Sequence, residues 1–197
     1  RRWRIQEQYT KPYPVCRWAH AGIDGVRELK AAHSLQPDDV GEVVVHTFHE
    51  ATRLFQGIPE TTDQAQYGTS FPTAVALVHG DVLPEHVVDG ALGNPLVRRL
   101  AERIRYVEDP EYSRLFPARR FARVEISLRD GSVLSAAARE PRGDPDAPLS
   151  AAELERKFLL YTAPAWGEER SLNCLRFLGR LGERGTTVAD LLDAIRN

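Results

Sequence analysis

The run Lys11-Pro12-Tyr13-Pro14-Val15-Cys16-Arg17-Trp18-Ala19-His20, continuing to Asp24, gathers the side chains of this sequence best suited to chemistry. At about 100° per residue, Cys16, His20 and Asp24 form a file along one edge of a helical apolar stripe. Lys11 stands just before the expected helix start, where unsatisfied N–H groups and the helix dipole favour an anion. A lysine at a helix N-terminus, with an imidazole a turn further on, suits a carboxylate. The same residues also suit a capped amphipathic helix whose boundary histidine bonds a backbone carbonyl. Spacing alone leaves both arrangements open.

Lysine is scarce here: Lys11, Lys30 and Lys157 stand against 23 arginines. Arginine is a planar fork that stays charged, whereas lysine is a compact point charge with a tunable pKa. A lysine kept in such a sequence is kept partly by chance and partly where a guanidinium will not serve, so these three positions are the first to inspect. Other polar groups offer less. His46 and His49 are three apart on an expected strand and so point to opposite faces. His79 and His86 flank a turn. Gly179, Gly182 and Gly185 repeat without the preceding strand that a phosphate loop needs. Arg119-Arg120 and the run Arg1 to Arg4 read as solvated faces or as contacts to another domain. No metal-ligand cluster is visible, so no metal is expected, and no G-x-S-x-G motif occurs.

The chain has 197 residues, 42% of them hydrophobic and 27% charged, with a formal net charge of -2. That balance suits a globular domain and gives no electrostatic reason to expect nucleic acid or an anionic membrane as partner. No apolar run approaches the ~20 residues of a membrane-spanning helix. Cys16 and Cys174 lie far apart, outside any C-x-x-C pair, which favours a reducing, cytoplasmic setting. The absence of methionine and the Arg1-Arg2-Trp3-Arg4 opening point to a fragment or a processed product.

The elements that must position these residues follow from pattern. Val15, Trp18, Ala19, Ile23, Val26 and Leu29 recur at helical spacing, predicting a helix over 14–32 with Pro14 in its first turn. Residues 42–48 and 104–108 read as strands, 51–63 as an exposed loop. Ser70 opens a helix that Gly80 ends, and Asn94-Pro95 caps another. Ala122, Val124, Ile126 and Leu128 alternate with polar residues, and Asp130-Gly131 turns that strand into 132–138. The expectation is an α+β fold: an antiparallel sheet of 42–48, 104–108, 121–129 and 132–138, with helices packed on one face. After a Pro-, Gly- and Asp-rich loop, Ser150 and Glu153 form a capping box. That helix is expected to stop before Pro164. Helices near 168–182 and from 186 or 187 onward complete the chain, their apolar stripes calling for another body to cover them.

The run K-P-Y-P-V-C-R-W-A-H-A-G-I-D resembles the segment that opens the C-terminal half of the MmgE/PrpD family. That family includes 2-methylcitrate dehydratases, cis-aconitate decarboxylases and iminodisuccinate epimerases. Gln64-Ala65, Phe71-Pro72-Thr73-Ala74-Val75-Ala76 to Gly80, Asp130-Gly131, Pro141-Arg142-Gly143-Asp144-Pro145, Pro148-Leu149-Ser150 and Lys157-Phe158 follow in the family's order. The resemblance implies a linker over 1–10, an α+β lid over 11–149, and helices at 150–197 that return to an all-helical domain outside this chain. It implies a cofactor-independent dehydratase acting on a 2-methylcitrate-like di- or tricarboxylic acid, working as a homodimer. Epimerisation or decarboxylation is the alternative within the family, and a non-catalytic lid-like binding module the alternative outside it. Lys11 corresponds to the family's active-site lysine and His20 to a histidine of its bacterial members; both are the expected catalytic residues. Lys11, Cys16, Phe71 and Arg142 are the expected substrate-binding residues. Cys16 stands where the decarboxylases carry histidine, Phe71 where many members carry tyrosine, and Arg142 where lysine is usual. The Asp and His credited with proton transfer belong to the helical domain, so the isolated chain is expected to be inactive.

Overall fold

The computed structural model describes residues 3–183 and 185–196; Arg1 and Arg2 of the basic opening lie outside them. The chain divides into two compact units, Arg1–Ala147 and Pro148–Asn197.

The first unit carries, in order, α1 (Arg17–His33), β1 (Val40–Thr47), α2 (His49–Thr52), α3 (Thr62–Tyr67), α4 (Ser70–His79), α5 (Pro95–Ala101), β2 (Ile104–Glu108), α6 (Pro110–Leu115), β3 (Ala122–Leu128) and β4 (Val133–Arg139). The four strands form one sheet in the order β2-β1-β3-β4. Both β1 with β3 and β3 with β4 pair antiparallel, as the alternation and the Asp130-Gly131 turn predict. β1 and β2 pair parallel, from Val43 opposite Ile104 to Thr47 opposite Glu108. The all-antiparallel sheet is thus corrected at one ladder, and the fold is α+β with a mixed, mostly antiparallel sheet. The cause is the long crossover through α2 to α5, which parallel neighbours require.

One face of the sheet is buried and the other is wet. Val40, Val43, Val45, Ala122, Val124, Ile126, Ile104 and Tyr106 point into the core, under α1 and α4. The outer face pairs Arg105 with Glu42 at 2.8 Å and His46 with Glu125 at 3.1 Å. Exposed pairs of this kind contribute little stability, but they keep the face polar. At the β2 edge the Gln56 side chain accepts from the Tyr106 N–H at 2.8 Å, closing part of an otherwise open edge.

α1 lies close on the sheet because it carries glycine where the two approach. A Cβ built on Gly25 would lie 2.6 Å from Val124 Cγ2 and 3.2 Å from its Cβ. Gly25→Ala is therefore expected to cost about 1–3 kcal/mol by overpacking, read as a lower urea midpoint. Adding Val124→Ala should recover part of that loss; a neutral Gly25→Ala would show that α1 does not depend on this close approach.

Several local expectations change. The first helix begins at Arg17, with Cys16 as N-cap and Pro14 outside it. Residues before proline disfavour the helical conformation, and Lys11 and Tyr13 both precede one. Cys16 N–H instead donates to the Gln66 carbonyl at 2.7 Å. The supposed loop at 51–63 contains the end of α2 and the start of α3, which Thr61 caps by accepting from Gln64 N–H.

In the second unit α7 (Ala151–Trp166), α8 (Glu168–Gly179) and α9 (Val188–Arg196) follow the sequence pattern, with the Ser150–Glu153 capping box in place. The stop before Pro164 does not occur. Pro164 sits inside the last turn of α7, and Gly167, at φ 83°, ends it instead. A proline so near the terminus forfeits one helical hydrogen bond where the helix is already ending. Leu154, Tyr161, Leu181, Val188 and Leu192 stay exposed.

Candidate functional site

Residues 8–15 form a strap without helical or strand structure that leads into α1. Pro12 and Pro14 have no N–H to offer a ladder, so side chains must hold the strap. Thr10 N–H donates to the Gly143 carbonyl at 2.8 Å. The Tyr9 hydroxyl lies 2.6 Å from His20 Nδ1. The Tyr13 hydroxyl donates to Asp24 Oδ1 at 2.5 Å and accepts from Arg27 Nη1 at 2.7 Å. His20 Nε2 lies 3.1 Å from the Val15 carbonyl. A carbonyl only accepts, so Nε2 carries the proton; in the neutral ring Nδ1 then accepts from Tyr9.

The loop after β4 closes this cluster from the other side. Arg142 Nη2 donates to Asp24 Oδ1 at 3.1 Å, and Arg17 pairs with Asp144 while its guanidinium stacks 4.0 Å over the Tyr9 ring. Gly143 adopts φ 108°, and a Cβ there would overlap the Thr10 carbonyl oxygen. The strap can approach this loop only because the residue is glycine.

Electrostatics keeps the phenols neutral. Burial raises the Tyr9 pKa above the usual phenol value and outweighs the opposing Arg17 charge. Burial, followed by the Asp24 carboxylate, does the same for Tyr13. For Arg142 burial opposes the charge, but Asp24 and its hydrogen bonds prevail and raise the pKa. The Arg142 guanidinium is thus engaged by a carboxylate of its own chain, with its side chain 41% exposed.

The five residues singled out in the sequence separate into distinct places. Lys11 is exposed on the strap, between the two anchored tyrosines. His20 is fully buried beneath it, in the carbonyl-bonded arrangement that the spacing had left open. Arg142 joins the same network through Asp24. Cys16 stands half-buried at the N-cap position of α1; beneath the helix the Tyr106 hydroxyl, whose pKa burial raises, sits 2.8 Å from Thr73 Oγ1. Phe71 is 1% exposed in the core at the start of α4. Among the described residues no side-chain hydrogen bond ties Cys16 or Phe71 to the strap. Among them, too, no group of three or more His, Cys, Asp or Glu gathers as a metal site would require.

Sequence reading missed the parts played by Tyr9, Tyr13 and Gly143. A signal was there. The tyrosines are four apart, as are His20 and Asp24, and each tyrosine meets its partner eleven residues on.

Comparison with known proteins adds identity to this geometry. The profile of the MmgE/PrpD C-terminal domain matches residues 13–176. The chain belongs to the MmgE/PrpD family. Its members are lyase-type enzymes, and the match takes in α1, the whole sheet, the 142–144 loop and most of α8, while Lys11 just precedes it. A curated relative within reach is "2-methylcitrate dehydratase, mitochondrial" from Yarrowia lipolytica (strain CLIB 122 / E 150), 26% identical over 103 residues. The alignment covers 49% of this chain and 20% of that protein.

Proposed function

We propose that this chain is the lid and returning helices of a cofactor-independent MmgE/PrpD-type hydro-lyase, acting on a 2-methylcitrate-like di- or tricarboxylic acid. Membership of the family over residues 13–176 carries the reaction class, and the distant likeness to a 2-methylcitrate dehydratase favours dehydration among the family's outcomes. The strap supports the residue roles. Lys11 offers a compact ammonium that would hold a substrate carboxylate and stabilise the charge that develops there as an α-proton leaves. Arg142, whose side chain is partly exposed beside Asp24, would add a secondary contact at the rim. His20, between Tyr9 and Val15, would orient the strap, and the Val15 carbonyl against its Nε2 takes no proton onward. Cys16 and Phe71 would line the substrate's surroundings without proton transfer.

The proton-transfer pair and the covering wall come, in this proposal, from an N-terminal helical domain of the same gene or a separate chain, within a cytoplasmic homodimer. The exposed apolar side chains of α7 to α9 are what such a domain would cover.

The test is to assay the complete protein and this chain alone with 2-methylcitrate and related hydroxy acids, following the conjugated double bond by ultraviolet absorbance. Turnover by the complete protein and none by the chain is the expected result. Carbon dioxide release, or inversion without elimination, would replace the dehydratase by a decarboxylase or an epimerase. Saturable carboxylate binding without any turnover would make the chain a binding module.

A further inference from the structure

We propose that His20 and Asp24 are positioning residues, holding the Lys11 strap in one place through the hydroxyls of Tyr9 and Tyr13. The consequence for Lys11 rests on the function proposed above; the clamp itself does not.

At its C-terminal end the strap is fixed by burial of Tyr13 and Val15 in the core, whereas the stretch around Lys11 lies at the surface. Two of its residues are prolines, and Thr10 supplies its backbone tie to the 142–144 loop. The helix beneath provides anchors with the right period. His20 and Asp24 are one turn apart on α1, so their side chains stand one above the other. The tyrosines repeat at the same interval, and each phenol meets its helix partner at 2.5–2.6 Å. His20 holds the strap twice, at Tyr9 and at the Val15 carbonyl, on either side of Lys11. Asp24 is kept in place by Arg142 and Tyr13 by Arg27, so the second anchor is itself braced. His20, Tyr13 and Asp24 are buried and Tyr9 is half-buried, so an unmet partner in this cluster is costly. An ordered strap spares a substrate the entropy of immobilising a long lysine-bearing loop, which is how preorganisation raises affinity and rate.

Tyr9→Phe removes one anchor and no bulk. In the complete protein the backbone amides of Thr10, Tyr13 and Val15 should exchange hydrogen about tenfold faster, the size of one lost buried hydrogen bond, with β3 unchanged. The same substitution should lower kcat/KM about tenfold when Lys11 is present, and less than about twofold in a Lys11→Ala background. A general structural role would cost the same factor in both backgrounds, and that result would overturn the proposal. Unchanged exchange in the strap would also overturn it. Faster exchange together with normal kcat/KM in Lys11→Ala would support the clamp while removing Lys11 from the active site, so the two ideas fail separately.

Discussion

Lys11→Ala in the complete protein should forfeit at least about 2 kcal/mol of transition-state stabilisation, roughly a thirtyfold fall in kcat/KM. The figure is that of one charge-assisted contact between the ammonium and a substrate carboxylate in the proposed reaction. Lys11→Arg should recover little of it. The guanidinium is longer and planar, and a strap anchored on both sides of residue 11 cannot shift to accommodate it. Thermal stability should scarcely move in either variant, because Lys11 is exposed and substitutions at such sites stay within about 0.5 kcal/mol. Steady-state kinetics beside thermal unfolding checks all of this. Near-normal kcat/KM in Lys11→Ala removes the residue from the site, and a large loss of stability reassigns it to the fold.

Gly143→Ala should carry the largest cost to the fold around the site, on the order of 3 kcal/mol. Two causes add. The backbone is at φ 108°, which a side chain resists, and the new Cβ would overlap the Thr10 carbonyl oxygen. That oxygen belongs to the strap backbone, so relief requires giving up the Thr10 N–H to Gly143 hydrogen bond. Gly131 is the control. It also has positive φ, at 90°, but a Cβ there would meet nothing within 4 Å. Gly131→Ala should therefore cost only the backbone strain, about 1–2 kcal/mol. Urea unfolding of both variants gives the difference. Equal costs would mean that the 142–144 loop does not press on the strap.

The elements of the first unit are legible in the residues for specific reasons. Alternation of Ala122, Val124 and Ile126 with Arg123, Glu125 and Ser127 assigns one face of β3 to the core. Asp130-Gly131 sets the hairpin, and Gly80 at φ 77° ends α4 where the pattern places it. Direction is another matter. Ile104 and Tyr106 alternate with Arg105 and Val107 whichever way the strand runs, so the pattern is silent on whether β2 lies parallel to β1.

For the candidate site, local pattern located Lys11, His20 and Asp24 on one short segment, and the family's motif order named the kind of protein. Helical spacing and motif position also picked out Cys16 and Phe71, but neither gives the contacts that a side chain makes in three dimensions. Only the tertiary structure decided those. Bringing residues 142–144 back across more than a hundred residues sets Arg142 on Asp24 and Gly143 against Thr10. Those contacts depend on the register of β3 with β4 and on how closely α1 packs at Gly25. Local propensity acts over a few residues and settles where helices and strands occur. Which charge finds which partner depends on long-range packing, and here it turned a file of polar residues into a clamp.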